Sequence, residues 1–392
     1  MQIFLVWLIV RILTSLSAIL ASPLRKLTDL ERIIPIWPPS TPISTWLARL
    51  FMAPFERWDV KWYIKIVTQG YTQLNGTTQF HPLFPSIAAT VHKLGISPLA
   101  SLMLVSSISS IALFYAFHRL ARLDLNSKED TLFALLAFSL SPTAFILFSP
   151  YPEGLFLLWA VICLYYARHQ NWWLASIAGA LAVLTRQQGL FLILPILWEY
   201  WESNQRSWHE SLNNWKDWLS FFMLPLAMLS WIGYRALALN DLRPNFSSIN
   251  SFIYSVLVSP TADQVVPDQV FLPPWQTIWF ALEKLIVAPD VDLITNLVGG
   301  LLFVLFFVLV WPYLRISYRI YSLAIILVSF SYYTGSIHPT MGLLRHLMLA
   351  IPVYIGVPFL IRKTGMRLAF TLISAAGMLF LLTLYVLEAW VV

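Results

Sequence analysis

Residues 3–22 run as a nearly unbroken apolar stretch carrying one charge, Arg11, and a helix of roughly 20 such residues crosses about 30 Å of hydrocarbon. Further apolar segments follow at about 83–118, 131–148, 152–168, 172–185, 187–200, 217–239, 294–314, 317–335, 342–361 and 367–391. A water-soluble core cannot absorb so many. Only 11% of the 392 residues are charged and 58% are hydrophobic, whereas soluble domains carry roughly 25% charged residues. The pattern predicts an all-α polytopic membrane protein, a single integral membrane domain over residues 1–392 with about eleven transmembrane helices.

Arg11 sits near the middle of the first apolar stretch. A cation facing lipid there costs at least about 2.5–3.5 kcal/mol, so this helix is expected to turn Arg11 toward protein. A cleaved signal peptide, which also ends in small residues, keeps its apolar core uncharged, and a retained span is the reading adopted. The net charge of +6 would suggest nucleic acid in a soluble protein. Here the cations lie between apolar segments, where they set topology and meet lipid headgroups, so membrane lipids are the expected partners and nucleic acid is not. Cys163, the single cysteine, lies inside an apolar run, which excludes a disulfide framework and a thiolate metal site.

Two long polar stretches interrupt the apolar pattern, at 23–80 and 240–293. In the first, Pro35, Pro38, Pro39 and Pro42 break regular structure. Ser44 is then placed to cap a helix reaching about Phe55, with Trp46, Leu47, Leu50, Phe51 and Phe55 on one face, the spacing of a helix lying in the membrane interface. With a cytoplasmic N-terminus, the inward connections hold Arg119, Arg122, Lys128, Arg168, Arg206, Lys216, Arg315, Arg319, Arg362, Lys363 and Arg367, and the short outward ones hold Arg186 and Arg345. That asymmetry is the one topology follows. It puts both long stretches, the acidic turn 149–154, the turn 185–189 and the segment 335–346 on one extracytoplasmic surface.

The densest polar interval is ERWDVKWYIKIVTQGY, Glu56 to Tyr71. Asp59 is either an interfacial acid among belt aromatics or a general base kept ionised by Arg57 and Lys61. Glu56 stands three residues away, so on one helical turn the two carboxylates share a face. They are then available to each other or to a divalent cation, although two carboxylates do not specify a metal. Glu153 opens an apolar run, as a helix-start acid complementing the macrodipole does, and also suits contact with a substrate. Arg186 interrupts two apolar runs and needs an anionic partner at that depth, a phosphate or a buried carboxylate; Gln187 and Gln188 beside it offer neutral hydrogen bonds. His338 and Arg345 are seven residues apart, two turns of a helix if Pro339 opens one, and would then grip a phosphate together. His81 and His346 read equally well as solvated loop residues. No HExxH, paired-cysteine, Walker or GxSxG pattern is present.

Taken in order, WDVKWYIKIVTQGY (58–71), HPLFP (81–85), YPEGLF (151–156), RQQG (186–189) and the late Arg345 before IPVY resemble the PIG-V-type mannosyltransferases and their bacterial relatives, of the GT-C fold. The likeness runs from the first span to about residue 360 and is strongest over 46–85. It implies an inverting transfer of a sugar, most often mannose, from a polyprenyl- or dolichyl-phosphate donor to a hydroxyl of a glycolipid or glycan acceptor. In that scheme Asp59 is the base with Glu56 nearby, Arg186 and Arg345 neutralise the donor phosphate, and Glu153 orients hydroxyls. Trp58, Trp62 and Tyr63 stack on sugar, Gln187, His81 and His338 join the binding set, and a small membrane subunit is a further partner to consider. Two positions depart from the family pattern. His81 stands where an aromatic often precedes the proline, and RQQG replaces arginine-x-asparagine-glycine. Both bear on substrate specificity. The rival reading, a transporter or flippase of a lipid-linked sugar, needs polar groups near the midplane and two related halves, whereas here the polar groups gather at one end.

Overall fold

A computed structural model describes residues 1–25, 45–72, 76–207, 214–258, 269–389 and 391. The proline run 35–42 and the cap expected at Ser44 lie outside the described residues. The helix after them starts at Trp46, and Thr45 caps it by accepting the Ala48 N–H. It ends at Phe51, and Ala53–Phe55 follows as a 3-10 turn. Trp46, Leu47, Leu50 and Phe51 all remain exposed, the apolar face an interfacial helix presents to lipid.

Five helices among the described residues are long and apolar enough to cross a bilayer: Gln2–Leu24, Pro98–Ala121, Trp215–Leu237, Val291–Tyr313 and Thr364–Val386. The remaining apolar segments of the expected set of about eleven form shorter or interrupted elements among the described residues. Several segments are shorter helices, such as Trp172–Thr185 and Ile316–Ser331. Others are broken: 131–148 becomes helix Lys128–Ser139 and the 3-10 turn Ala144–Phe148, and 342–361 becomes Leu343–Leu347, Ile351–Gly356 and Val357–Leu360. Prolines 142, 352 and 358 account for breaks by removing a donor and clashing with the preceding turn. Irregular backbone at membrane depth persists only where protein surrounds it, and Leu347, Leu349, Ala350, Ile351, Val353 and Val357 are completely buried. The full-length helix Val291–Val310 instead turns Leu302, Leu305 and Val308 outward.

Arg11 behaves as its position demands. It faces protein, donating through Nη1 to the Phe148 carbonyl with its guanidinium 5.8 Å from the Phe55 ring centroid. On the same helix the Trp7 indole N–H donates to Ser110 Oγ at 2.9 Å. The last helix meets the first polar stretch, because the Tyr385 hydroxyl donates to the Phe55 carbonyl at 3.0 Å and Arg57 Nε donates to Val386 O at 3.0 Å.

Helix Glu153–Arg168 shows how the molecule separates its charges. Sixteen residues at 1.5 Å each put its two ends about 23 Å apart. At its far end Arg168 pairs with Asp124 at 2.9 Å, and the Tyr318 hydroxyl donates to the same carboxylate at 3.1 Å. Arg315 binds Glu199 at 2.6 Å and Glu202 at 2.8 Å, and Arg367 binds Asp130 at 2.5 Å. At the near end Glu153 joins a different charge cluster.

Two features hold that near end in shape. Val270 pairs antiparallel with Tyr333 and Phe271 with Tyr332, a two-residue β pairing in an otherwise helical molecule that brings part of the 240–293 stretch against the end of helix Ile316–Ser331. The other is Gly189, in the 3-10 turn Gln187–Leu192. A Cβ there would lie 2.4 Å from the Val183 nitrogen and 2.5 Å from the Ala182 carbonyl carbon, both rigid helical backbone. Gly189→Ala is therefore expected to destabilise the protein by about 1–3 kcal/mol and to displace the turn carrying Arg186, which a lowered melting temperature in detergent checks.

Candidate active site

Asp59 is the first residue of helix Asp59–Gln69, where the positive end of the macrodipole favours a carboxylate. The preceding residue, Trp58, has φ 49° and ψ −120°. A bulky residue at positive φ is a strained conformation of the kind that clusters at functional sites. The Val60 N–H bonds to the Arg57 carbonyl at 3.0 Å and the Lys61 N–H to the Trp58 carbonyl at 3.1 Å, so the helix closes immediately behind the strained residue.

Three charged side chains from three other segments join Asp59 in one cluster. Arg345 Nη1 donates to Asp59 Oδ2 at 2.6 Å, and its Nε lies 3.5 Å from Glu153 Oε1. Arg186 Nη1 donates to the same Glu153 oxygen, and Arg186 Nε reaches Gln188 Oε1 at 3.4 Å. Glu153 is completely buried, and Arg186 and Arg345 are each 13% exposed. Two guanidiniums and two carboxylates thus cancel. The Tyr151 ring lies 5.3 Å beneath the Arg345 guanidinium, a cation–π contact. Gly342, at φ 70°, takes a backbone form that favours glycine and opens the five-residue helix Leu343–Leu347 that presents Arg345. Glu153 Oε2 and Arg345 Nε are buried without hydrogen-bond partners, which leaves an acceptor and a donor within the cluster uncommitted.

Asp59, Arg186 and Arg345 border an open cleft of about 160 Å³ lined also by Trp58, Trp62, Tyr63, His81 and Gln187, together with Gln79, Gln188, Gln269, Phe271, Tyr332 and His346, whereas Glu153 is completely buried and does not line it. Trp62 carries Phe80 at 6.3 Å and the Lys65 ammonium at 5.1 Å against its ring, and Tyr63 packs edge-on to Phe80 and Phe84. These two aromatics build the wall, while Trp58 is the more exposed of the three.

Several expected placements differ. Arg57 does not flank Asp59: it donates to the Ala53, Glu56 and Val386 carbonyls and lies 3.6 Å from Glu388. The cation on Asp59 is Arg345, 286 residues away in the chain. Glu56 is buried but precedes the helix, following the turn Ala53–Phe55. The one-turn geometry that would align it with Asp59 is not formed, and it does not line the cleft. His338 and Arg345 share no helix, because the segment after Pro339 becomes helical only at Leu343. His346 lines the cleft edge-on to Tyr332, and Gln269 and Phe271 arrive through the β pairing. Nothing in the local sequence marks Gln269 and Phe271 as site residues.

His338 belongs to another group. One ligand atom each from His338, Asp290 and Asp292 lies within 4.8 Å of the others, the mixed oxygen and nitrogen donor set that divalent transition metals accept. Burial, opposed by Asp290, lowers the His338 pKa and favours the neutral imidazole a metal requires. This group does not line the cleft, and no cofactor is assigned to the protein from it.

His81 is fixed from behind. Its Nδ1 lies 2.7 Å from the Val183 carbonyl, so Nδ1–H donates and Nε2 carries the lone pair. Burial above all pulls its pKa down to about 3, and the Arg186 and Arg235 charges act in the same direction.

A family model described as mannosyltransferase (PIG-V) matches residues 1–230, a span that includes Asp59, Glu153 and Arg186 but not Arg345. Among solved structures the chain is similar to ArnT from Cupriavidus metallidurans bound to undecaprenyl phosphate, with 14% identity, a TM-score of 0.50, and coverage of 94% of this chain and 63% of that one. The chain thus spans less than two thirds of that neighbour, and the likeness is one of fold, the GT-C architecture. A second similar structure is the Archaeoglobus fulgidus oligosaccharyltransferase in complex with Zn and sulfate, with 13% identity, a TM-score of 0.42, and coverage of 97% and 53%. No curated protein matches the chain.

Removing one member of a buried charge cluster costs more than removing a compensated pair. Glu153→Gln is expected to lower stability by about 3–5 kcal/mol, and adding Arg186→Gln should restore part of it, as thermal unfolding of the single and double variants will show. A histidine held neutral favours folding fully above its unfolded pKa of 6.5, and that contribution is lost as pH falls toward 3. The melting temperature should therefore drop on acidification below about pH 6.5, and His81→Asn should flatten the drop.

Proposed function

The chain belongs to the mannosyltransferase (PIG-V) family, and from that premise we propose that it moves a mannosyl group from a polyprenyl- or dolichyl-phosphate donor to an acceptor hydroxyl, inverting the anomeric carbon. The observation that carries this reading is the compensated cluster of Asp59, Arg345, Glu153 and Arg186 bordering a cleft at one end of the helices. The undecaprenyl phosphate bound to the ArnT neighbour supports a lipid-phosphate donor here. The acceptor is a glycolipid or glycan.

In this scheme the donor phosphate takes hydrogen bonds from Arg186 and Arg345, whose forked donors match phosphate oxygens. Drawing Arg345 toward phosphate loosens its 2.6 Å hold on Asp59, and a carboxylate relieved of a cation is a stronger base. The acceptor oxygen attacks the anomeric carbon as its proton passes to Asp59. The bond from that carbon to the phosphate oxygen breaks, and the electron pair leaves on phosphate, where the guanidiniums meet the developing charge. Polyprenyl phosphate and the glycosylated acceptor are the products. Glu153 holds both arginines in register from a completely buried position. Trp58 offers a ring face to sugar.

The cationic connections at the opposite end support a cytoplasmic N-terminus and an extracytoplasmic cleft. The stretches 23–80 and 240–293 are then the outward segments of one membrane domain. A divalent cation would be held by Asp290, Asp292 and His338, and a small membrane subunit is an additional partner to test by co-purification.

Purified protein given polyprenyl-phosphate mannose and a panel of glycolipid and glycan acceptors should release polyprenyl phosphate. Asp59→Asn should cut that release by about 10²–10⁴-fold, with a smaller fall in melting temperature than Glu153→Gln, because Asp59 is 22% exposed and Glu153 is completely buried. Undiminished turnover by the variant would remove Asp59 from the role of base.

A further inference from the structure

His81 lines the cleft and carries a ring nitrogen that the phosphate chemistry does not use. Its ring is 6% exposed, packs 6.1 Å from Trp231, and is oriented by the Nδ1 bond to the Val183 carbonyl at 2.7 Å. Nε2 is buried and has no hydrogen-bond partner, although His81 lines the same cleft as Asp59, Arg186 and Arg345. With Nδ1–H committed to a carbonyl, Nε2 can only accept. A phosphate oxygen is itself an acceptor, so it cannot be the partner. The partner must bring an O–H or N–H, which the sugar of the donor and the acceptor both carry; the sugar is fixed beside the phosphate that the arginines take, and monodeoxy donors distinguish it from the acceptor.

We propose that His81 accepts a hydrogen bond through Nε2 from a hydroxyl of the transferred sugar and thereby sets which sugar the cleft takes. The inference rests on the function proposed above and extends it to the sugar's recognition. A site built to bond a hydroxyl discriminates against the analogue lacking it, because the buried protein group is then left unpaired. An acceptor whose tautomer is held by the backbone discriminates most sharply, since it cannot turn donor to suit another group.

The test compares kcat/KM for polyprenyl-phosphate mannose with its four monodeoxy donors, in wild type, His81→Asn and His81→Gln. The Asn amide keeps a donor toward Val183 and leaves nothing at the Nε2 position; the Gln amide reaches that position with an oxygen. Wild type should lose about 10- to 100-fold on one deoxy donor. His81→Asn should lose a similar factor on the full donor and nothing further on that deoxy donor, and His81→Gln should recover part of the loss. A wild type equally active on all four deoxy donors, or an Asn variant whose loss is the same on every donor, overturns the inference while leaving the function standing. A wild type inert toward every donor overturns the function and this inference with it. If the Asn variant fails to fold, the wild-type deoxy profile alone decides.

Discussion

Two guanidiniums and two carboxylates brought together where water is scarce must cancel one another, and the shape of this protein's working end follows from that requirement. The penalty for an unpaired charge rises steeply in a low-dielectric interior. Asp59, Glu153, Arg186 and Arg345 therefore constrain one another's positions, and the segments bearing them have to converge. Glu153 is at the centre, sharing one oxygen between two arginines. The compensation also makes the arrangement responsive, because an incoming anion competes for cations that are already shared.

The helical scaffold meets this demand by sacrificing regularity. The turn 186–192, the 3-10 turn before Glu153 and the broken segment 343–360 are where an unbroken helix would carry its side chains past the cleft. Each break is enclosed by neighbouring helices, as backbone polar groups at membrane depth require. The long regular helices, whose outer faces are apolar, form the boundary with lipid. The strained Trp58 and the left-handed Gly342 lie one and three residues before Asp59 and Arg345, so a residue at positive φ stands directly ahead of each of these charged groups.

Much of this was legible locally. An apolar run interrupted by one cation has few solutions, which is why Arg11 and Arg186 were expected to find partners inside protein and did. The form of each apolar segment was not legible, because hydropathy measures whether a segment can be buried and is silent on whether it continues as one helix through prolines 142, 352 and 358. Arg57 and Glu56 misled for a related reason: adjacency to Asp59 suggests contact, yet a chain that turns just before a helix sends neighbouring side chains in different directions.

The sequence by itself determined that this is a membrane protein, which polar residues are too costly to leave unpaired, and the family pattern that the first 230 residues carry. These are properties of transfer free energy and of residue order, and no partner need be known to read them. The tertiary structure decided which charge meets which. Arg345 meets Asp59 across 286 residues, Gln269 and Phe271 reach the cleft through a two-residue strand pairing, and His81 has one nitrogen taken by a carbonyl 102 residues away. Pairings at that separation depend on how every intervening helix packs, and no local rule of spacing or periodicity encodes them.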